Sequence, residues 1–144
     1  MTTLDKKVPA SFWIISVLAL LWNLIGVMAF VSEVMMTPEQ IAALPDGQRA
    51  LYTDRPIWSM VFFAVGVGTG VLGSVLLLVR RRLAVPVFIV SFLAIITYDG
   101  YWLFVRDGLA VTPMGGLVLI GAVISIALAL IIFAMAATRR GWLR

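Results

Sequence analysis

Two strongly polar side chains lie inside long apolar segments of the sequence and are the first candidates for chemistry. Asn23 lies at the centre of LALLWNLIGVMAF, and Ser16, two helical turns earlier, shares its face in a helix. Asp99 lies in TYDGYWLFVRD, and Arg106, two turns later, shares its helical face. These four residues form the candidate polar site.

Each of the two central residues has a functional and a structural interpretation. A carboxylate in an apolar segment can bind a proton or a cation, or it can form a salt bridge, here with Arg106, Arg49 or Arg55. The carboxamide of Asn23 can hydrogen-bond a neighbouring helix or contact a solute. The sequence leaves both alternatives open for both residues.

The amino-acid composition indicates whether these residues lie in a soluble or a membrane protein, and it excludes several kinds of catalytic and metal-binding site. Of the 144 residues, 62% are hydrophobic and 12% are charged, which is typical of a membrane protein. Cys and His are absent, and no nucleophile–base pair or metal-binding cluster can be assembled. We therefore expect no enzyme activity, no catalytic residue, no metal site and no cofactor.

A glycine fingerprint for nucleotides is formally present at Gly68, Gly70 and Gly73. It is rejected because such a motif needs a preceding strand and a water-exposed helix start.

Four apolar runs are each long enough to cross about 30 Å of hydrocarbon as a helix. They cover residues 11–33, 57–79, 83–105 and 113–137. The runs are continuous rather than alternating, which excludes barrel strands. The sequence therefore predicts an all-α fold, an integral membrane four-helix bundle that forms a single transmembrane domain over residues 1–144.

The connection at residues 34–56 is long enough to fold. Thr37, Pro38 and Gln40 form the pattern of an N-cap with a capping box, and Pro45 ends the helix that they start. We expect a short helix on the outer membrane surface, with Asp46 capping a second turn.

The charges predict the orientation. Eight basic residues and one acid, Asp5, fall on one side of the four spans, and three basic residues and six acids fall on the other side or its margin. The basic residues of the first side are Lys6, Lys7, Arg80, Arg81, Arg82, Arg139, Arg140 and Arg144. By the positive-inside rule, both termini are cytoplasmic. The basic balance is thus a topology signal, and no nucleic-acid partner is expected.

Small residues recur at helical spacing in the second and fourth spans. Gly66, Gly70 and Ser74 are four residues apart, with Gly73 beside them, and Gly121 and Ser125 repeat the spacing. Small residues let helices approach closely in lipid. The rows therefore predict packing, either within one bundle or in a homodimer or a complex with a membrane partner protein.

Three segments within roughly the first two-thirds of the chain resemble segments of known proteins. They are LALLWNLIGVMAF, GVGTGVLGSVLLLVRRRLAVPVF and the acidic TPEQ loop. They resemble a family of small bacterial four-span membrane proteins, mostly hypothetical or labelled sugar transporter. The resemblance implies a multi-pass protein of the bacterial inner membrane and supplies no catalytic or binding residues.

Two functions remain as hypotheses. The first is a non-catalytic structural or accessory membrane subunit that packs through its glycine faces. The alternative is a minimal transporter of a small solute, either a sugar or a cation or proton-coupled substrate, with Asn23 and Asp99 on its path.

The predicted orientation can be tested with single cysteines, because the native chain has none. Gln48→Cys should react with an impermeant thiol reagent in intact cells, and Arg81→Cys only after lysis. The reverse labelling pattern would overturn the assignment of both termini to the cytoplasm.

Overall fold

In the computed structural model, residues 7–144 are described and form helices joined by short connections, with no strand among them. Lys6 and Asp5, which entered the charge argument, lie outside the described residues. The helices are α1 (Ala10–Val34), α2 (Pro38–Ala42), α3 (Asp46–Tyr52), α4 (Ile57–Leu78), α5 (Ala84–Gly100), α6 (Gly108–Val111) and α7 (Met114–Arg139), and a π-helical turn, Tyr101–Val105, continues α5.

Four of these elements, α1, α4, α5 with its π-helical turn, and α7, are long and apolar enough to cross a membrane. The predicted all-α fold is confirmed, and the predicted span ends differ from the helix ends by at most two residues.

The closest helix pair is α4 with α5, and the glycine row of α4 explains why. An added Cβ would lie 2.7 Å from Ile95 Cγ1 at Gly66 and 2.8 Å from the Phe88 ring at Gly73, so neither position has room for a side chain. The Ser91 hydroxyl donates a 2.6 Å hydrogen bond to the Gly66 carbonyl across the same contact. These glycines thus lie at a helix–helix contact within one chain.

Helix α1 also packs on α4, through Asn23, and meets it beside α5 at the same row of small residues. The Asn23 side-chain amide donates hydrogen bonds to the Ala19 carbonyl (2.8 Å) and to the Ser74 hydroxyl (3.2 Å). Ser74 is fully buried and donates to the Gly70 carbonyl at 2.9 Å. A Cβ at Gly70 would overlap Asn23 Oδ1, so the asparagine occupies the space that this glycine leaves.

The start of α1, the C-terminal residues and the turn between α4 and α5 lie at one end of the bundle, the terminal end. There the Arg82 amide donates to the Arg144 carbonyl (2.9 Å) and the Arg144 amide donates to the Arg80 carbonyl (2.6 Å). Phe12, fully buried, stacks on Phe133 with the ring centroids 5.8 Å apart. The basic residues in the described range that were assigned to one side of the membrane therefore lie together, and an apolar core closes this end.

Helix α7 packs on α5 but not closely on α1, so the bundle has an open side. The predicted packing role of Gly121 and Ser125 is wrong for this bundle. A Cβ at Gly121 would meet nothing within 4 Å, and Ser125 is exposed and bonds the Gly121 carbonyl of its own helix. These residues face away because α7 uses its other side, with Ala134 and Ala137, for packing.

The long connection forms two short helices at the other end of the bundle, the loop end. The capping box at Thr37 and Gln40 is present as predicted. Asp46 does not cap α3; it begins that helix and pairs with Arg49 at 3.3 Å. The single surface helix of the prediction is also corrected, because Leu51 of α3 is only 3% exposed and packs into the protein.

Two glycines of α4 provide a matched test of the packing. Gly70→Ala would place a methyl group on Asn23, whereas a Cβ at Gly68 meets nothing within 4 Å. We expect Gly70→Ala to cost about 1–3 kcal/mol through overpacking and to lower the thermal midpoint in detergent by several degrees. Gly68→Ala should keep or raise the midpoint. Equal midpoints for the two variants would show that Asn23 does not pack against Gly70.

Candidate functional site

A cavity of about 310 Å³ lies between the four long helices, in the half of the bundle toward the loop end. Its polar lining consists of Asn23 and Glu33 of α1 and Asp99 of α5, beside the Tyr98 hydroxyl. The remaining wall is apolar and aromatic, and α7 contributes only aliphatic side chains such as Leu119 and Val123. The cavity therefore brings together two of the four predicted site residues, Asn23 and Asp99.

Ser16 and Arg106 lie outside the cavity. Ser16 is fully buried at the terminal end, where its hydroxyl donates a 2.8 Å hydrogen bond to the Phe12 carbonyl. This bond within α1 satisfies the hydroxyl, so Ser16 is a packing residue of the core.

Asp99 has no hydrogen-bond or ion-pair partner among residues 7–144, although it is only 9% exposed. The predicted salt bridge is wrong for all three arginines that were considered. Arg49 pairs with Asp46, Arg55 pairs with Glu33, and Arg106 donates to backbone carbonyls. The carboxyl of Asp99 therefore faces the cavity without a compensating charge.

Glu33 is the cavity residue that the sequence argument missed. Its carboxylate pairs with the Arg55 guanidinium and accepts a 2.7 Å hydrogen bond from the Tyr98 hydroxyl. The side chains of Glu33 and Arg55 are less than one-fifth exposed. A signal was present, because an acid at the end of one span and a base at the start of the next reach the same membrane level.

Aromatic rings form a second feature of the cavity wall. Phe63 stacks on Tyr98 with the ring centroids 4.6 Å apart. Tyr98 in turn stacks on Trp102, with a centroid distance of 6.3 Å. Trp22 of α1 lies on the cavity as well. Aromatic faces carry partial negative charge and attract cations. The rings of Tyr98 and Trp102 both line the cavity.

The π-helical turn explains why Arg106 does not face Asp99. In an uninterrupted α-helix, residues seven apart share a face, whereas a π-helical turn inserts an extra residue and rotates the part of the helix beyond it. The turn Tyr101–Val105 lies between Asp99 and Arg106. Arg106 is directed to α3 instead, where its guanidinium donates to the carbonyls of Ala50 (2.7 Å) and Thr53 (2.5 Å).

These contacts hold α3 and α6 on the loop end of the bundle, and we call the two helices the lid. Tyr52 of α3 lies edge-on to Trp102 with the centroids 5.4 Å apart, and the Gln48 amide donates to the Val111 carbonyl at 3.4 Å. Burial raises the pKa of the Tyr52 phenol. The lid thus adjoins the aromatic wall of the cavity.

Comparisons with known proteins do not identify a family for this chain. No family model, no curated protein and no solved structure matches the chain. Among the described residues, no three His, Cys, Asp or Glu side chains converge on a point that could hold a metal ion. The chemistry of the site is argued from the cavity alone: an uncompensated carboxyl, a fixed acid–base pair and aromatic faces.

The role of Arg106 in the lid can be tested by limited proteolysis in detergent. Arg106→Gln removes charged hydrogen bonds to the end of α3, each worth about 1.5–3 kcal/mol, so cleavage by chymotrypsin after Tyr52 should become at least about tenfold faster. Arg49→Gln is the control, because it removes only an exposed ion pair and one exposed hydrogen bond to the Leu44 carbonyl, and it should change the rate by no more than about twofold. Equal rates for the wild type and Arg106→Gln would refute the assignment of Arg106 to the lid.

Proposed function

We propose that the protein binds a small cationic solute in the central cavity and carries it across the bacterial inner membrane, as a minimal transporter. The observation that carries the proposal is Asp99, a carboxyl directed at a cavity between spanning helices and without an arginine partner. This geometry favours the transporter hypothesis over the structural or accessory subunit.

The charges around the cavity support a cation as the solute. Glu33 and Arg55 compensate each other, so the ionised form of Asp99 gives the site one net negative charge. A carboxylate at the centre of a membrane costs about 2.5–3.5 kcal/mol on insertion scales. A bound cation or proton would offset that cost, and two charge states, empty and occupied, are what a coupled carrier needs.

The cavity wall supports a cation better than a sugar. A sugar needs hydrogen bonds for many hydroxyl groups, whereas the Asn23 amide already donates to Ala19 and Ser74, and Glu33 is held by Arg55 and Tyr98. The rest of the wall is apolar or aromatic. The sugar label implied by the family resemblance therefore has little support in this site.

The proposed orientation places the terminal end in the cytoplasm. Its support is the arginine-rich turn Arg80–Arg82 and the C-terminal residues Arg139, Arg140 and Arg144, which lie together at that end. The lid and the cavity then belong to the outer half of the bilayer.

A structural or accessory subunit is the second candidate, and α7 provides the observation that favours it. Gly121 and Ser125 form a small, exposed face on a spanning helix, and among residues 7–144 a Cβ at Gly121 would meet nothing within 4 Å. A second copy or a partner helix in the bilayer could pack closely there. This candidate requires no solute.

Ion flux into liposomes separates the two candidates. With K⁺, tetramethylammonium and benzyltrimethylammonium as probes, the wild type should carry at least one of them faster than protein-free liposomes do. Asp99→Asn keeps the shape of the side chain but cannot carry the charge, so we expect the flux to fall at least about tenfold.

Asp107→Asn is the matched control, because it makes the same chemical change at an exposed position outside the cavity. Asp107 has a φ of 56°, a backbone conformation that asparagine tolerates well, and the variant should retain full flux. Absence of flux for every probe, with Asp99→Asn as stable as the wild type, would reject the transporter and favour the accessory subunit.

A further inference from the structure

An apolar groove runs along the open side of the bundle, between α1 and α7, and has a volume of about 430 Å³. It is lined by aliphatic side chains that include Leu18 and Leu21 of α1 and Ile126 and Leu130 of α7. Leu18 and Leu21 are more than half exposed, on a helix that is apolar enough to span the membrane. The groove therefore faces the hydrocarbon of the bilayer rather than water.

The groove and the cavity share a boundary. Trp22 and Ile25 line both of them, so these two side chains separate the lipid-facing groove from the compartment that contains Asp99. Both residues belong to α1, which does not pack closely on α7. A path from the hydrocarbon to the carboxyl thus passes between two helices where they do not pack closely, away from the Phe12–Phe133 contact at the terminal end.

We propose that the ligand of the cavity is a single-chain amphiphilic organic cation, with its ammonium head at Asp99 and its alkyl chain in the α1–α7 groove. This inference rests on the proposed function and names its substrate class. The ligand reaches the cavity sideways from the bilayer, past Trp22.

The charge of Asp99 and the aromatic rings around it indicate the chemistry of the ligand's head group. A monovalent head compensates the one unpaired carboxyl, and the rings of Trp22, Tyr98 and Trp102 around the cavity suit the low charge density of a substituted ammonium. A small inorganic cation fits less well, because hard cations need about six oxygen ligands and most of this wall is carbon.

The apolar lining of the groove indicates that the ligand carries an alkyl chain. A chain that leaves the cavity past Ile25 enters a surface made of aliphatic side chains, where it exchanges lipid contacts for equivalent protein contacts at little cost. The free energy of binding then comes from the head group, while the chain keeps the ligand in the bilayer at the level of the site.

The test is thermal stabilisation of the full-length protein in micelles of an uncharged detergent. Decyltrimethylammonium, below its own micelle concentration, should raise the midpoint of the wild type by about 4 °C or more, because a ligand that binds the folded state stabilises it. Tetramethylammonium, which has the same head and no chain, should give a shift of less than about 1 °C at the same concentration.

Three variants locate the ligand. Asp99→Asn should lose the shift because the head has no counter-charge. Ile126→Trp should lose it because the larger ring fills the groove beyond the cavity, and Leu128→Trp, on a lipid-facing part of α7 that does not line the groove, should keep it. If Asp99→Asn does not fold, the comparison of Ile126→Trp with Leu128→Trp decides whether the chain lies in the groove.

The possible failures can be told apart. An equal shift in the wild type and Asp99→Asn, or in Ile126→Trp and Leu128→Trp, would overturn the amphiphile inference. Asp99-dependent flux of the small cations with no shift from decyltrimethylammonium would overturn it too, yet leave the proposed function standing. Neither flux nor shift would reject both.

Discussion

The close approach of α1, α4 and α5 around Gly70 is the contact on which the rest of the structure depends. In lipid, burying apolar groups against one another gains little, so helices must be joined by tight packing and by hydrogen bonds. Gly70 provides the space, Asn23 fills it, and Ser74 and Ser91 add hydrogen bonds within and across the contact. The carboxamide that looks out of place in an apolar segment is thus the group that joins two spans.

The cavity is a consequence of the same arrangement. Helices α1, α4 and α5 are joined around Gly70, whereas α7 packs on α5 and not closely on α1, so one side of α1 is left open. Phe12 and Phe133 bring α1 and α7 together at the terminal end, and the space between the helices lies toward the loop end. One strong contact between three helices and one weak side therefore leave a mostly apolar cavity that contains Asn23, Glu33 and Asp99 and that adjoins an apolar groove.

The sequence predicted those features that depend on local patterns. Hydropathy located the four spans, and the chain Thr37-Pro38-Glu39-Gln40 located the capping box, because both depend on neighbouring residues alone. The interhelical hydrogen bond of Asn23 is one of the two alternatives that the sequence left open for this residue. The predictions failed where backbone geometry or a distant partner decided the outcome. Arg106 was assigned to Asp99 on the assumption of a regular α-helix, and the π-helical turn between them rotated it toward α3. The pairing of Glu33 with Arg55, and the position of Trp102 on the cavity, depend on how separate helices meet, which no single segment encodes.

The open side of the bundle also has a consequence for the order in which the protein assembles during synthesis. The extensive contacts between the long helices join α1 to α4, α4 to α5 and α5 to α7, so each span meets the span that was inserted just before it. The last span, α7, is the most apolar of the four and can insert without help from a neighbour. Apart from the contact of Phe12 in α1 with Phe133 in α7, each newly inserted helix finds its main contact surface already in place.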